Sequence, residues 1–364
     1  MPNGHRQTDT ASQCVLPLLA TCCVLAVGEP LGAQSVAQSA APDRVQVRLP
    51  GSNGSILLNG TIVEFTLDHL HFQAANTQTV KRYPTTDVLQ VSTPRTAAHA
   101  RGLREFDLYR SRDALRSFQE ALTIETRPWV RRDLIAMLVR CHTSEKDLLN
   151  AGGRFSELIR SQSRTRHYPI VPLVWSPIAL TPALKQRAML WMSDDTPFIQ
   201  IMGSSLLLDD PQQTQLARGV LDELLTCADR RVRELARFQS WRLRLQQDTP
   251  SDALMKSWTA RINEALDPVK GGGYYVLGRG HCLRGEFDRA AVAMLWVPLV
   301  YNRDHQLAAR SCLEAADALV ECGRKMEATV LYHEVIDRYR NTAFARDAQA
   351  TLKAGLKRAA ETQP

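Results

Sequence analysis

A mostly α-helical fold, a helical-repeat solenoid behind a small N-terminal β module, is predicted for this chain of 364 residues. Three observations predict it. A motif of small and apolar residues occurs twice near the C-terminus, 38 residues apart: Leu277-Gly278, Gly285, Ala290, Met294, Val297, then Ala315-Ala316, Gly323, Ala328, Tyr332, Val335. Residues 43–93 alternate apolar and polar positions between turn dipeptides. From Ala97 onward the apolar period becomes helical. Helical hairpins that repeat and stack build binding surfaces rather than catalytic clefts.

The N-terminus reads as an export signal over 1–33. Arg6 precedes an apolar run from Cys14 to Val27, and small residues at Gly32-Ala33 or Ser35-Val36-Ala37 suit cleavage. That run contains Pro17 and falls short of the ~20 residues a bilayer span needs. A second reading is a lipoprotein signal at Leu19-Ala20-Thr21-Cys22. The chain is therefore expected to be exported, periplasmic or envelope-associated, with no transmembrane span after cleavage. Cleavage leaves 44 basic against 36 acidic residues, dispersed along helices. This balance favours anionic surfaces weakly and gives no nucleic-acid patch. Five cysteines remain, Cys141, Cys227, Cys282, Cys312 and Cys322, with no metal-ligand spacing among them. They read as small buried hydrophobes, with one disulfide among Cys282, Cys312 and Cys322 as the alternative.

Residues 34–42 form a small-residue linker. In 43–93, Val45, Val47 and Leu49 alternate, and Gly51-Ser52-Asn53-Gly54 and Asn59-Gly60 are turns. Runs at 61–66, 70–72, 79–83 and 88–91 follow, rich in β-branched and aromatic residues. Five or six such strands predict an SH3-like barrel or a curled sheet. His69 and His71 share a strand face without a third metal ligand.

Residues 97–266 are expected to form irregular helical hairpins, opened by Leu103, Phe106, Leu115, Phe118 and Leu122. Asp229 and Ser251 read as N-caps, and Pro211 as a first-turn proline. The segment 168–182 breaks the pattern: Pro169, Pro172, Pro177 and Pro182 forbid a helix, yet Ile170, Val171, Leu173, Val174 and Trp175 are apolar. It is expected to lie extended against the helices, with a partner-binding strip as the other reading. Gly271-Gly272-Gly273 is expected to separate two helices, since the Lys-Ser/Thr of a phosphate loop is missing. Residues 270–360 carry the regular repeats.

These repeats resemble the tetratricopeptide repeat family. Leu277-Gly278, Gly285, Ala290, Met294 and Val297 match its pattern, as do Ala316, Gly323, Ala328, Tyr332 and Val335, and, at 97–125, Gly102, Ala114, Phe118 and Ala121. The period of 38 departs from the family's about 34. The helix-A tryptophan and the terminal proline are missing, Arg340 following Tyr339. Signal, β module and array together are similar to exported bacterial repeat proteins, from which no activity carries over.

No catalytic, cofactor or metal site stands out. His281 and Cys282 are sequence neighbours and point apart on a helix. Asp194-Asp195 and Asp209-Asp210 sit where helix N-termini favour carboxylates. Arg127, Arg131 and Arg132, and Arg154, Arg160, Arg164 and Arg166, are the densest basic clusters and the candidates for an anionic envelope polymer. The expected function is a non-catalytic protein–protein interaction scaffold that binds a peptide or partner helix on its concave face, through Tyr275, Arg279, Arg310 and Glu314. Strand addition through residues 43–93, and an enzyme with a site between β module and solenoid, are the alternatives.

Overall fold

Residues 43–92 alternate in burial because one face of their strands is apolar. β1 (Asp43–Arg48), β2 (Ser55–Phe65), β3 (His69–Ala74), β4 (Val80–Pro84) and β5 (Val88–Ser92) form one antiparallel sheet in the order β4-β3-β2-β1-β5. These and all further coordinates belong to a computed structural model that describes residues 42–361, apart from Pro50, Ser52 and Asn53. The expected signal peptide, its lipoprotein alternative and most of the 34–42 linker lie outside the described residues.

Register shifts at Gln46/Val47 and at Ile62/Glu64 curl the sheet. Val45, Val47, Ile62, Phe65, Leu70 and Phe72 fill its inner face and close on Trp129 and Val130 of α3 (Pro128–Ser144). Phe65 meets Trp129 edge-on at 6.4 Å. Asp68 and Arg164 add an ion pair at 2.5 Å between sheet and helical part.

Apart from the proline-rich segment and short connections, the rest of the described chain is helical. α1 (Ala97–Asp107) and α2 (Ser111–Ile124) form the first hairpin, and α3 pairs with α4 (Leu148–Ser161). After the proline-rich segment come α5 (Pro182–Met192), α6 (Pro197–Leu207), α7 (Thr214–Leu224), α8 (Arg230–Gln247) and α9 (Asp252–Glu264). α10 (Lys270–Leu283), α11 (Phe287–Leu299), α12 (His305–Glu321), α13 (Lys325–Arg338) and α14 (Ala343–Glu361) complete the chain. The Asp229 carboxylate accepts from the Arg231 amide and the Ser251 hydroxyl from the Leu254 amide, capping α8 and α9. Pro211 does not open a helix: α7 begins at Thr214, because residues 211–213 form a turn whose amides are held by Asp210.

Gly271-Gly272-Gly273 does not separate helices either. All three residues lie in the first turn of α10, and each is buried. A Cβ on Gly273 would stand 3.0 Å from the Phe238 ring, and one on Gly272 would run into the indole of Trp175. Here close packing, not chain flexibility, requires glycine. Positive φ requires glycine elsewhere: at Gly285 and Gly323, at φ +72° and +76°, the chain turns between α10 and α11 and between α12 and α13, and Gly51 lies at +73° in the β1–β2 turn.

The helices close into a circuit. α4 meets α6, α6 meets α8, α8 meets α10, α10 meets α12, and α12 returns to α3. The Gln306 side-chain amide donates to the Ser144 carbonyl at 2.7 Å, and that of Asn341 to the Tyr109 carbonyl at 2.7 Å. His305 stacks on Tyr109 at 4.9 Å. The array thus closes on its own first hairpins.

Candidate functional site

The inner face of this circuit is occupied by the chain's own proline-rich segment. After a short 3-10 turn at Tyr168–Ile170, the segment runs extended to Thr181, because its prolines supply no amide for a helix. Val171, Pro172, Leu173, Val174 and Ser176 are buried. The backbone of Val174 is held on both sides. Its amide donates to the Ser205 hydroxyl at 3.3 Å, and its carbonyl accepts from Gln239 Nε2 at 3.0 Å and Arg242 Nη1 at 2.6 Å. Arg242 also donates to the Ser205 carbonyl at 2.9 Å and pairs with Asp209. Burial pulls the Arg242 pKa down, against the pull of Asp209. Burying a cation is costly unless its donors are paired; this segment supplies one acceptor to Arg242 Nη1, while Arg242 Nε is buried without a partner.

Beyond Val174, Trp175 lies over Gly272 of α10 and the Ser176 hydroxyl accepts from Arg310. Arg310 leads into the four residues that the sequence singles out. Tyr275 and Arg279 stand one turn apart on α10, and Arg310 and Glu314 one turn apart on α12. Glu314 joins them. Its Oε1 accepts from the Tyr275 hydroxyl at 3.0 Å and from Arg310 Nε at 2.7 Å, and its Oε2 from Arg279 Nη1 at 3.2 Å. The fold brings all four into one cluster, turned mostly inward. Tyr275 is 1% exposed, and its hydroxyl pKa is raised by burial and then by Glu314. The Arg279 side chain, 47% exposed, is the member that reaches solvent.

Ser205, Gln239 and Arg242 escape a reading of the sequence. They lie 31 to 68 residues from their contact at Val174, on helices whose patterns differ in no way from their neighbours. The one usable signal is Trp175, a large aromatic in a segment barred from helix.

The two arginine clusters meet a different fate. Arg127 pairs with Glu125 at 2.8 Å, Arg132 with Glu64, Arg154 with Glu157, Arg160 with Asp194, and Arg164 with Asp68. Arg131 donates to the carbonyls of Leu122 and Glu125. Arg166 pairs with Asp133 at 2.6 Å, and His167 Nε2 meets the same carboxylate at 2.8 Å. Burial raises the Asp133 pKa, but His167 and Arg166 outweigh it and hold the group low. The trio ties α3 to the start of the proline-rich segment. His69 Nδ1 contacts Arg82 at 2.8 Å. All five described cysteines are free, so the disulfide alternative does not form.

Among the described residues, no group of three or more His, Cys, Asp or Glu could hold a metal ion, and no helix is long and apolar enough to cross a membrane. Compared with known proteins, the chain matches no family model, no curated protein and no solved structure.

Proposed function

We propose that this protein is a non-catalytic interaction scaffold of the cell envelope whose helical array reads an extended peptide on its inner face. One observation carries the reading: the array already grips such a segment in cis, holding the amide and carbonyl of Val174 and seating Trp175 against α10. Backbone hydrogen bonds give grip, and an anchored aromatic gives specificity. A partner strand of like chemistry, extended and interrupted by proline, would replace residues 170–176. Placement in the envelope rests on the export-signal reading of the N-terminus.

The tetratricopeptide-like arrangement of 270–360 belongs to the same proposal. Ala290, Met294, Ala316, Ala328, Tyr332 and Val335 are all at most 4% exposed, and a Cβ on Gly278 would stand 2.5 Å from Met294. These are the close-packing duties that the family pattern assigns to such positions. Likewise the five-strand order, with a 3-10 turn between β4 and β5, supports an SH3-like barrel for 43–93. Strand addition through that sheet has weaker support: edge strand β4 carries Lys81, Arg82 and Pro84, which blunt pairing.

The test uses a fluorescent peptide spanning residues 168–182 and a Trp175→Ala chain. The native chain is expected to ignore the peptide, and the variant to bind it saturably by anisotropy. A folded variant, judged by circular dichroism, that binds no peptide would sink the proposal.

A further inference from the structure

Between α1, α3, the sheet and the turn before α12 lies a crevice of about 480 Å³. It adjoins two smaller cavities, which share Arg140 and Arg303 with it. Arg95, Arg140 and Arg303 line it. Nearly every arginine in the sequence's own clusters has a carboxylate partner; these three have none among the described residues. Arg140 sits over the Phe106 ring at 4.6 Å, with Nη1 3.7 Å from the Met137 sulfur. Burial lowers its pKa, Arg303 lowers it further, and Asp107 acts on it only through space.

Asp133 is the one carboxylate in the lining, and Arg166 and His167 already saturate it. The crevice therefore brings together three guanidiniums without a carboxylate partner, Arg140 half-buried and Arg95 and Arg303 exposed at its mouth, a set of donors suited to an anion. A second, independent observation points the same way. His99 lines the crevice at 5% exposed, and its Nδ1 is buried with no hydrogen-bond partner. Buried polar atoms are seldom left unpaired. Apart from Thr85 and Thr93, the other walls are apolar, among them Leu103 and Met137 from the helices and Pro169 and Ile170 from the proline-rich segment.

We propose that this crevice binds an amphiphilic oxyanion, its phosphate or carboxylate head held by Arg140, Arg303, Arg95 and His99 Nδ1, and its apolar body lying along Leu103, Met137 and Ile170. Both heads offer a guanidinium the same paired oxygens, and the walls take a short alkyl chain. Because Pro169 and Ile170 also open the segment on the inner face, a ligand here touches that segment at its root.

Isothermal titration of the full chain with octyl phosphate, octanoate and inorganic phosphate tests this. At least one amphiphile should bind saturably at one per chain, at least ten-fold tighter than inorganic phosphate, and more weakly in high salt. The tighter of the two identifies the head group. Arg140→Met and Arg303→Ser should each weaken binding ten-fold or more, whereas Arg187→Ser, an exposed arginine on α5, should not. Should Arg140→Met fold poorly, Arg303→Ser, in an exposed turn, still decides. Native-like binding by Arg303→Ser, or no saturable binding of any probe by the native chain, overturns the proposal. Equal affinity for inorganic phosphate and both amphiphiles overturns the apolar part of it.

Discussion

Trp175 lies so close to Gly272 that the helix has no room for even one added methyl group at that position. Two residues 97 positions apart thus set how closely the proline-rich segment approaches α10. Gly272→Ala should destabilise the chain by about 1–3 kcal/mol, the usual cost of overpacking. Gly153→Ala and Gly219→Ala face open space inside helices and should each stabilise it by about 0.5–1 kcal/mol. Urea denaturation measures all three. In a Trp175→Ala background the Gly272→Ala penalty should vanish, and a penalty that persists there would mean that Trp175 is not its cause.

Glu314 holds three donors from two helices, so its removal should cost more than that of any one donor. Tyr275→Phe loses one hydrogen bond, about 1 kcal/mol. Glu314→Ala strands Tyr275, Arg279 and Arg310 together and should cost about 2–3 kcal/mol. Equal midpoint shifts for the two variants would show that Glu314 does not join the cluster.

The contrast between these residues shows what the sequence could and could not convey. Tyr275 with Arg279, and Arg310 with Glu314, are legible as pairs because residues four apart share a helix face, but that Glu314 joins the two pairs is set by the fold alone. Ala290, Met294 and Ala328 were legible because packing demands small or apolar side chains at a fixed period. The glycine triplet misled, since a glycine in a helix is explained only by what leans on it, and Trp175 is far away in sequence. The arginines misled more. Local density singled out Arg160, Arg164 and Arg166, but Asp194, Asp68 and Asp133 neutralise them through the fold. Arg95, Arg140 and Arg303 are scattered along the chain, and only tertiary structure brings them to one crevice. The closing of the circuit through Tyr109 and His305 has no local signature at all.

Thiol reactivity should divide the cysteines by burial. Burial pushes the thiols of Cys141 and Cys312 up to about 12, and both are at most 1% exposed. At pH 8 neither should react with iodoacetamide in the folded chain, because the thiolate is the nucleophile. Cys227 is partly exposed and should react. Mass mapping of the labelled sites decides this, and early labelling of Cys141 would show that α3 opens readily.

Acid should loosen the seam where the circuit closes. His305 lies between Tyr109 at 4.9 Å and Tyr339 at 4.8 Å. Burial, then Arg338 and Arg140, lowers its pKa from 6.5 to about 4. The folded chain therefore prefers the neutral ring, and the unfolded chain takes up a proton first as pH falls. The stabilisation is complete above about pH 6.5 and is lost progressively toward pH 4, on the order of 2–3 kcal/mol in all. His99 and His167, also lowered, act in the same direction, and Asp304, raised by burial, acts in the opposite one. His305→Phe keeps an aromatic ring between the two tyrosines and leaves those other groups in place. The difference between native and variant melting curves thus isolates His305. The native midpoint should fall more steeply between pH 6.5 and 4 than that of His305→Phe, and parallel curves would remove His305 from the acid response.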